Sequence, residues 1–244
     1  MGGSERGDDK LGRVLGIFDS IAPGYDRANR LMSLGRDRRW RRLVARRCEL
    51  RDGDSALDIC CGTGELTLAL ASAARDLRVT GLDYSSEMLA VAKAKAFEKA
   101  KASGKANIDF IEADATRLPF PDGVFDAAAV GWGLRNVPDL DATLAELYRV
   151  VRPGGKIVSI DMGHPGFPPL AAAYWFVSGL FVPAVGRLVA ANDGAYRYLH
   201  DSAREFIDQR ELAARFRALG MGEVRVKNFL AGAVALVEGK KPLR

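Results

Sequence analysis

An open, doubly wound α/β sheet, mostly parallel, is the fold class this sequence predicts. Helices precede it and an apolar insertion interrupts it late. Three observations carry that expectation. From Ser55 onward, short apolar runs alternate with longer stretches of helical periodicity. Gly62 and Gly64 stand where the first run passes into a helix, a place where the backbone must turn tightly. Asp83 ends the second run, 19 residues after Gly64.

The elements follow in order. Residues 1–13 read as a loose, flexible tail, and 14–50 as a helical cover, with Val14, Ile17, Phe18 and Ile21 at helical spacing. Seven strands are expected: Ser55–Ile59, Arg78–Asp83, Ile108–Ala113, Phe125–Val130, Lys156–Asp161, Glu223–Phe229 and Ala233–Val237. Helices are expected at Glu65–Ala74, at Ser86–Ala102 capped by Ser85 or Ser86, and from Asp139 or Asp141 to about Arg152. Pro153-Gly154-Gly155 predicts a turn, and Asp208-x-x-Glu211 a capping box for a last helix ending near Gly220. Alternating strands and helices imply a parallel sheet with both faces covered. Right-handed crossovers then put every strand-to-helix loop at one end, where ligands bind.

Residues 14–244 read as a single domain, with 165–205 as a lid or acceptor segment. Gly166–Gly186 carries no charge and is long enough to reach across a bilayer. Pro168, Pro169, Gly179 and Pro183 inside it predict that no single continuous helix forms there, so an apolar lid is expected instead.

Composition narrows the function. The 244 residues are 48% apolar, which excludes global disorder. The net charge is +5, with basic residues grouped at 36–47 and in Lys93–Lys105; the second group reads as the solvated face of a helix. Only Trp40 accompanies the first group, against the interleaved aromatics of an RNA-binding surface, so no nucleic-acid partner is expected. Cys48, Cys60 and Cys61 make neither a disulfide framework nor a C-x-x-C zinc site. No metal is expected. The polar N-terminus lacks the apolar core of a signal peptide, so a cytoplasmic location is expected.

The glycine pair and Asp83 together point to an adenosine site, because a carboxylate at that spacing accepts hydrogen bonds from ribose hydroxyls. A dinucleotide site needs G-x-G-x-x-G, and Thr67 occupies its third position. Asp58, just before the loop, suits a cationic ligand and opposes a pyrophosphate. Asp114, between Ala113 and Ala115, is placed to meet an adenine edge and is followed by Leu118-Pro119-Phe120. The missing third glycine and Leu118-Pro119-Phe120 argue against a nucleotide-binding dehydrogenase, and the lone Trp40 in the basic run argues against a non-catalytic sensor or RNA-binding module.

Four motifs then become specific: Asp58-x-x-Cys61-Gly62-Thr63-Gly64, Gly81-Leu82-Asp83, Glu112-Ala113-Asp114 and Arg149–Gly155. Their succession resembles class I S-adenosylmethionine-dependent methyltransferases, which implies a Rossmann-like, seven-stranded α/β fold. Tyr25-Asp26-x-x-Asn29-x-x-Met32-Ser33 with Trp40, Gly133–Asp139, Tyr196-Arg197-Tyr198-Leu199 and Gly232-Ala233-Val234-Ala235 narrow the match. They resemble the UbiE/MenG family of ubiquinone/menaquinone C-methyltransferases, over nearly the whole chain. The Cys60-Cys61 form of the loop leans toward the menaquinone branch.

The resemblance implies methylation of a prenylated quinol ring carbon, demethylmenaquinol to menaquinol, or the benzoquinol of the ubiquinone pathway. Another lipophilic or phenolic acceptor is the alternative. It implies that Tyr25, Asp58, Gly62, Thr63, Gly64, Asp83, Tyr84, Met88, Asp114, Ala115 and Gly131 hold S-adenosyl-L-methionine. A phenolic hydroxyl titrates near 10, so the site must stabilise its oxyanion or supply a base. Arg135 and Asn136 are the candidates: Arg135 for the charge, Asn136 to orient the hydroxyl or a water. His164 and His200 read as structural. A bilayer acceptor implies transient contact with the membrane surface, and a homodimer is admitted. Four residues depart from the family pattern: Ala28, Asp37, Asp161 and Gly163 stand where Met, His, Glu and Ser are common.

Overall fold

The computed structural model describes residues 4–103, 107–190 and 193–243. Seven strands form one sheet in the order β3-β2-β1-β4-β5-β7-β6. They are β1 (Ser55–Ile59), β2 (Arg78–Asp83), β3 (Asn107–Glu112), β4 (Phe125–Gly131), β5 (Val151–Met162), β6 (Gly222–Phe229) and β7 (Val234–Lys240). β7 runs antiparallel to both β5 and β6, and the other pairings are parallel. Strand order reverses between β1 and β4, which opens a crevice at their carboxyl ends.

Side-chain alternation along the strands builds two cores. Leu57, Ile59, Ala128 and Val130 face α6 (Leu140–Val150) and α9 (Gln209–Ala218), meeting Leu144, Leu147, Leu212 and Phe216. Ala56, Ala127, Ala129 and Val158 face α3 (Asp37–Arg47) and α4 (Glu65–Leu70), meeting Trp40, Val44, Leu66 and Leu70. The alanines of β4 keep the helices close to the sheet. A third cluster, outside the sheet, joins Ile21 and Ala28 to Met88, Val185 and Tyr196. It seats α1 (Ser4–Ile21) and α2 (Tyr25–Met32) against α5 (Ser86–Ser103), α7 (Pro168–Ala190) and α8 (Asp193–Glu205).

Local chemistry places the helix starts. The Met88 amide donates to Ser85 Oγ (3.1 Å), which caps α5. Ala142 N donates to Asp139 Oδ1 (3.0 Å), which caps α6. Asp208 caps α9 through the amides of Arg210 and Glu211, while Glu211 turns to Arg215 (3.0 Å) instead of closing the box.

Three expectations are corrected. The stretch read as a tail is helical from Ser4. Pro153-Gly154-Gly155 makes a bulge inside β5, which begins at Val151 and not after a turn at Lys156: Phe125 pairs with Val151, and Ala127 with Lys156. The uncharged segment is one helix, α7, of 23 residues. Pro168 and Pro169 lie in its first turn, where no amide partner is needed, so only Pro183 interrupts the hydrogen-bond ladder. Among the described residues, α7 is the one helix long and apolar enough to cross a membrane, and little of it is buried. Part of the Lys93–Lys105 run lies outside the described residues. Within it, Lys95 and Lys99 do more than face water: Lys95 reaches Asp26 and Glu65, and Lys99 reaches Leu68 O (2.8 Å).

Candidate active site

The loops after β1 and β4 meet over the crevice. Gly64 caps α4 at φ +78, and a Cβ there would lie 2.9 Å from Ala92 Cβ. A Cβ on Gly133 would lie 2.4 Å from Cys60 Cβ, so the loops touch because Gly133 has no side chain. Between them Trp132 is held at φ +59, a costly conformation for a bulky residue. The crevice widens into a cavity of about 730 Å³, counting the part open to solvent.

Nine of the residues expected at the site line this cavity: Tyr25, Gly62, Asp83, Tyr84, Met88, Asp114, Ala115, Gly131 and Asn136. Asp83 Oδ2 accepts from Gly62 N (2.7 Å) and Oδ1 from Ser85 N (3.0 Å), so the carboxylate braces the glycine loop while facing the cavity. Burial pushes its pKa up, against those two bonds. Asp114 also accepts from Thr116 N (2.8 Å), serving as a turn cap as well as a wall. A Cβ on Gly62 would meet nothing within 4 Å, so bare backbone faces the cavity there. Two carboxylates at the ends of β2 and β3, bare backbone between them and the apolar Leu82 and Met88 fit an adenosine.

Three expected residues stand behind the wall. Asp58 is fully buried beneath the loop, where Thr67 Oγ1 donates to its Oδ2 (2.6 Å). Thr67 is the residue at the missing third-glycine position, and this bond is what it does. Burial pushes the Asp58 carboxyl up to about 7, so it does not face a ligand as a bare charge. Thr63 is buried and donates to Asp26 Oδ1 (2.6 Å), tying α2 to the loop, and Gly64 packs against α5.

A second cavity, of about 1040 Å³ with its solvent-open part, lies beside the first. Tyr25 and Trp132 line both. Its wall is largely apolar: Met32, Trp40, Met162, Tyr174, Trp175, Phe181, Val182 and Leu199 surround a few polar groups, Arg135, Asp37 and Arg41 among them. The two residues expected to act on the acceptor therefore separate. Asn136 faces the first cavity and accepts from the Tyr198 hydroxyl (3.2 Å). Arg135 faces the second. Its Nη1 is 2.6 Å from Asp161 Oδ1 and donates to Trp132 O (2.8 Å), and both side chains of the ion pair are buried. Arg135 Nε finds no hydrogen-bond partner among the described residues.

His164 Nε2 bonds Phe206 O (2.9 Å), and His200 engages Trp175 O (3.3 Å) and Asp201 (3.0 Å), which agrees with structural roles. Sequence reasoning missed the part of α1. Val14, Leu15 and Phe18 line the first cavity, and Ser85 Oγ donates to Asp19 Oδ1 (2.5 Å). The amphipathic spacing from Val14 marked a buried face, but nothing marked what it covers. Trp132 and Arg41 were missed as well; the cation–π contact between them (5.1 Å) depends on a fold no local pattern encodes.

Comparison with known proteins bears on this geometry. The sequence profile of the ubiE/COQ5 methyltransferase family matches residues 6–241. A demethylmenaquinone methyltransferase of Desulfitobacterium hafniense (strain Y51) is 44% identical over 97% of this chain and 92% of its own. One from Bacillus subtilis (strain 168) is 37% identical over 96% and 99%. Among solved structures, a SAM-dependent methyltransferase from Thermotoga maritima superposes with a TM-score of 0.65 at 19% identity, covering 93% of this chain and 99% of that one. The [4+2]-cyclase SpnF superposes at 0.63 and 20% identity, over 96% and 97%, so the fold by itself does not fix the chemistry. The family match spans nearly the whole sequence: the chain belongs to the ubiE/COQ5 methyltransferase family and is an S-adenosylmethionine-dependent methyltransferase.

Proposed function

We propose that this protein methylates a ring carbon of demethylmenaquinol, giving menaquinol, with the cofactor in the first cavity and the quinol ring in the second. The observation that carries this reading is the wall the two cavities share, Tyr25 and Trp132. Adjacent cavities bring two reactants side by side, and such placement is how orientation lowers a barrier. The relatives named above act, by their names, on demethylmenaquinone.

S-adenosylmethionine, when bound, supplies a methyl group already activated by its sulfonium. The protein's own residues do the rest. Asp83, Asp114 and the Gly62 backbone hold the adenosine, and Met88, Phe18 and Leu82 exclude water around it. Arg135, ion-paired to Asp161, presents a buried cation to the acceptor cavity. Asn136, oriented by Tyr198, positions a hydroxyl or a water from the cofactor side. The apolar wall of the second cavity suits a naphthoquinol ring and the start of its prenyl tail.

The tail points to the membrane surface as the place of work. Phe176, Val177, Leu180 and Phe181 are exposed along α7 at helical spacing, and Phe181 also lines the acceptor cavity. Arg36, Arg38, Arg39, Arg42 and Arg46 are exposed on α3 and the residue before it, the helix that brings Trp40 to the same cavity. Each charge near an anionic surface adds about 1 kcal/mol. An exposed apolar stripe and an exposed basic one, on two helices that line the same cavity, fit a protein that rests on the bilayer and draws the quinol ring inward.

The test is direct. The purified protein, given methyl-labelled cofactor and demethylmenaquinol reduced in detergent, should yield menaquinol heavier by one methyl group. No transfer to long- or short-tailed demethylmenaquinol, with transfer to some other phenol, would refute the acceptor.

A further inference from the structure

We propose that Asp37 is the general base of the reaction, taking the proton from the quinol hydroxyl next to the methylated carbon. This rests on the acceptor reading above. Among the described residues, Asp37 is the one carboxylate on the wall of the acceptor cavity. The other titratable or charged groups there are Tyr25 of α2, Arg41 of α3, Arg135 after β4, Tyr174 of α7 and His200 of α8. Arg41 and Arg135 are cations with no lone pair to offer. His200 has both ring nitrogens engaged. Burial raises the Tyr174 phenol to about 12, so at neutral pH it keeps its proton.

Asp37 is built to stay in place and ready. Arg41 Nη1 donates to its Oδ2 (2.5 Å) and Ser33 Oγ to its Oδ1 (3.1 Å), leaving a free lone pair on each oxygen. Both side chains of the ion pair are only 9% exposed. Arg41 in turn lies over the Trp132 ring, 5.1 Å from its centre, and Trp132 is part of the wall shared with the cofactor cavity. The chain Asp37–Arg41–Trp132 thus places the carboxylate beside the contact at which a ring carbon would meet the methyl group.

The step balances. The hydroxyl proton passes to a carboxylate oxygen of Asp37. The ring carbon bonds to the methyl as the methyl's bond to sulfur breaks, the electron pair staying on sulfur. The hydrogen on that ring carbon then leaves to water, and Asp37 returns its proton to the ring oxygen. A phenolic proton is held near 10, so the transfer needs the oxyanion stabilised, and Arg135 lines the same cavity.

The experiment compares kcat, KM and cofactor affinity against pH in the full-length wild type, Asp37→Asn and Asp37→His. Asp37→Asn keeps the shape and, through its amide oxygen, the bond from Arg41, while its NH2 donates to Ser33 Oγ; it accepts no proton. It should lower kcat about 10²-fold or more at pH 7, with KM and cofactor affinity within about threefold, and the deficit should shrink as pH rises toward 10. Asp37→His should keep most activity, with its acid limb moved up to the imidazole range near 6.5. If Asp37→Asn fails to fold, Arg41→Gln retains the carboxylate without its counter-charge, and the acid limb of kcat should move to higher pH. The proposal is overturned by a wild-type pH profile in Asp37→Asn, by a loss equal at every pH, by a loss confined to KM, or by an unmoved acid limb in Asp37→His or Arg41→Gln. In each of these cases the wild type still methylates demethylmenaquinol, so the acceptor reading stands or falls separately.

Discussion

Removing Arg135 alone should unfold much of the protein's stability margin before it reports on chemistry. Arg135 and Asp161 form an ion pair at 2.6 Å with side chains only 6% and 3% exposed. Truncating one member leaves the other charge buried without a partner, which costs about 3–5 kcal/mol. For a domain of this size each kcal/mol moves Tm by about 2–4 °C, so Arg135→Met should lower Tm by about 6–20 °C. Replacing both residues, Arg135→Met with Asp161→Leu, leaves no buried charge and should recover most of that loss. Thermal and urea unfolding of the two single variants and the double variant close the cycle, with an expected coupling above about 2 kcal/mol. Turnover separates the roles: if Arg135 stabilises the phenolate, the stable double variant should still lose about 10²–10³ in kcat, like the loss of an oxyanion donor. A double variant as unstable as Arg135→Met would refute the buried-charge reasoning. A stable double variant with full turnover would reduce Arg135 to scaffold.

Asp83→Asn should weaken S-adenosylmethionine binding by about 1.5–3 kcal/mol, measured by calorimetry, because a charged acceptor is lost at the ribose and at Gly62 N. Unchanged affinity removes Asp83 from the site. Asp58 has a folded pKa of about 7, above its unfolded value near 4. The proton is therefore held more tightly in the folded state, and the stability this gives is complete below pH 4 and lost as pH rises to 7, a change on the order of 4 kcal/mol. Asp58→Asn should flatten that part of the unfolding profile, and an unaltered slope assigns it elsewhere. Phe176→Ser with Leu180→Ser changes two exposed positions on α7. It should reduce binding to anionic vesicles and activity on long-tailed quinol, while a truncated quinol is methylated as before. Equal losses on both would show a fold effect.

The sheet was legible because each strand carries its own apolar run between turn signals. All seven expected strands appear, and Ser85, Asp139 and Asp208 cap the helices they precede. What failed was local in appearance and tertiary in cause. The prolines of α7 read as breakers, but two fall in the first turn, where proline is tolerated. Gly154 and Gly155 read as a turn because a bulge and a turn need the same backbone freedom. At the site, spacing marked the glycine pair and Asp83, while Tyr25, Tyr84, Met88, Gly131, Arg135 and Asn136 were marked by the family resemblance. The partner of Arg135 was not: Asp161 is 26 positions away on the neighbouring strand, a pairing set by sheet register. Asp58 was read as a charge facing a ligand because sequence shows the acid but not the Thr67 hydroxyl under the loop.

The cover over the cofactor cavity is fastened by the site itself. Asp26 on α2 accepts from Thr63 in the glycine loop and from Lys95, which also holds Glu65 (2.9 Å), and Asp19 on α1 accepts from Ser85, the cap of α5 beside Asp83. Cover and cofactor therefore draw on one set of anchors, and linkage makes their coupling reciprocal. Whatever ordering the ligand lends to α1 and α2, those helices return as affinity for the ligand. Hydrogen exchange in α1 should slow when S-adenosylhomocysteine binds, and deletion of α1 should weaken the equilibrium binding of that ligand by a comparable factor. The amino-terminal helices are thus a cover fastened by the very residues that shape the space beneath it.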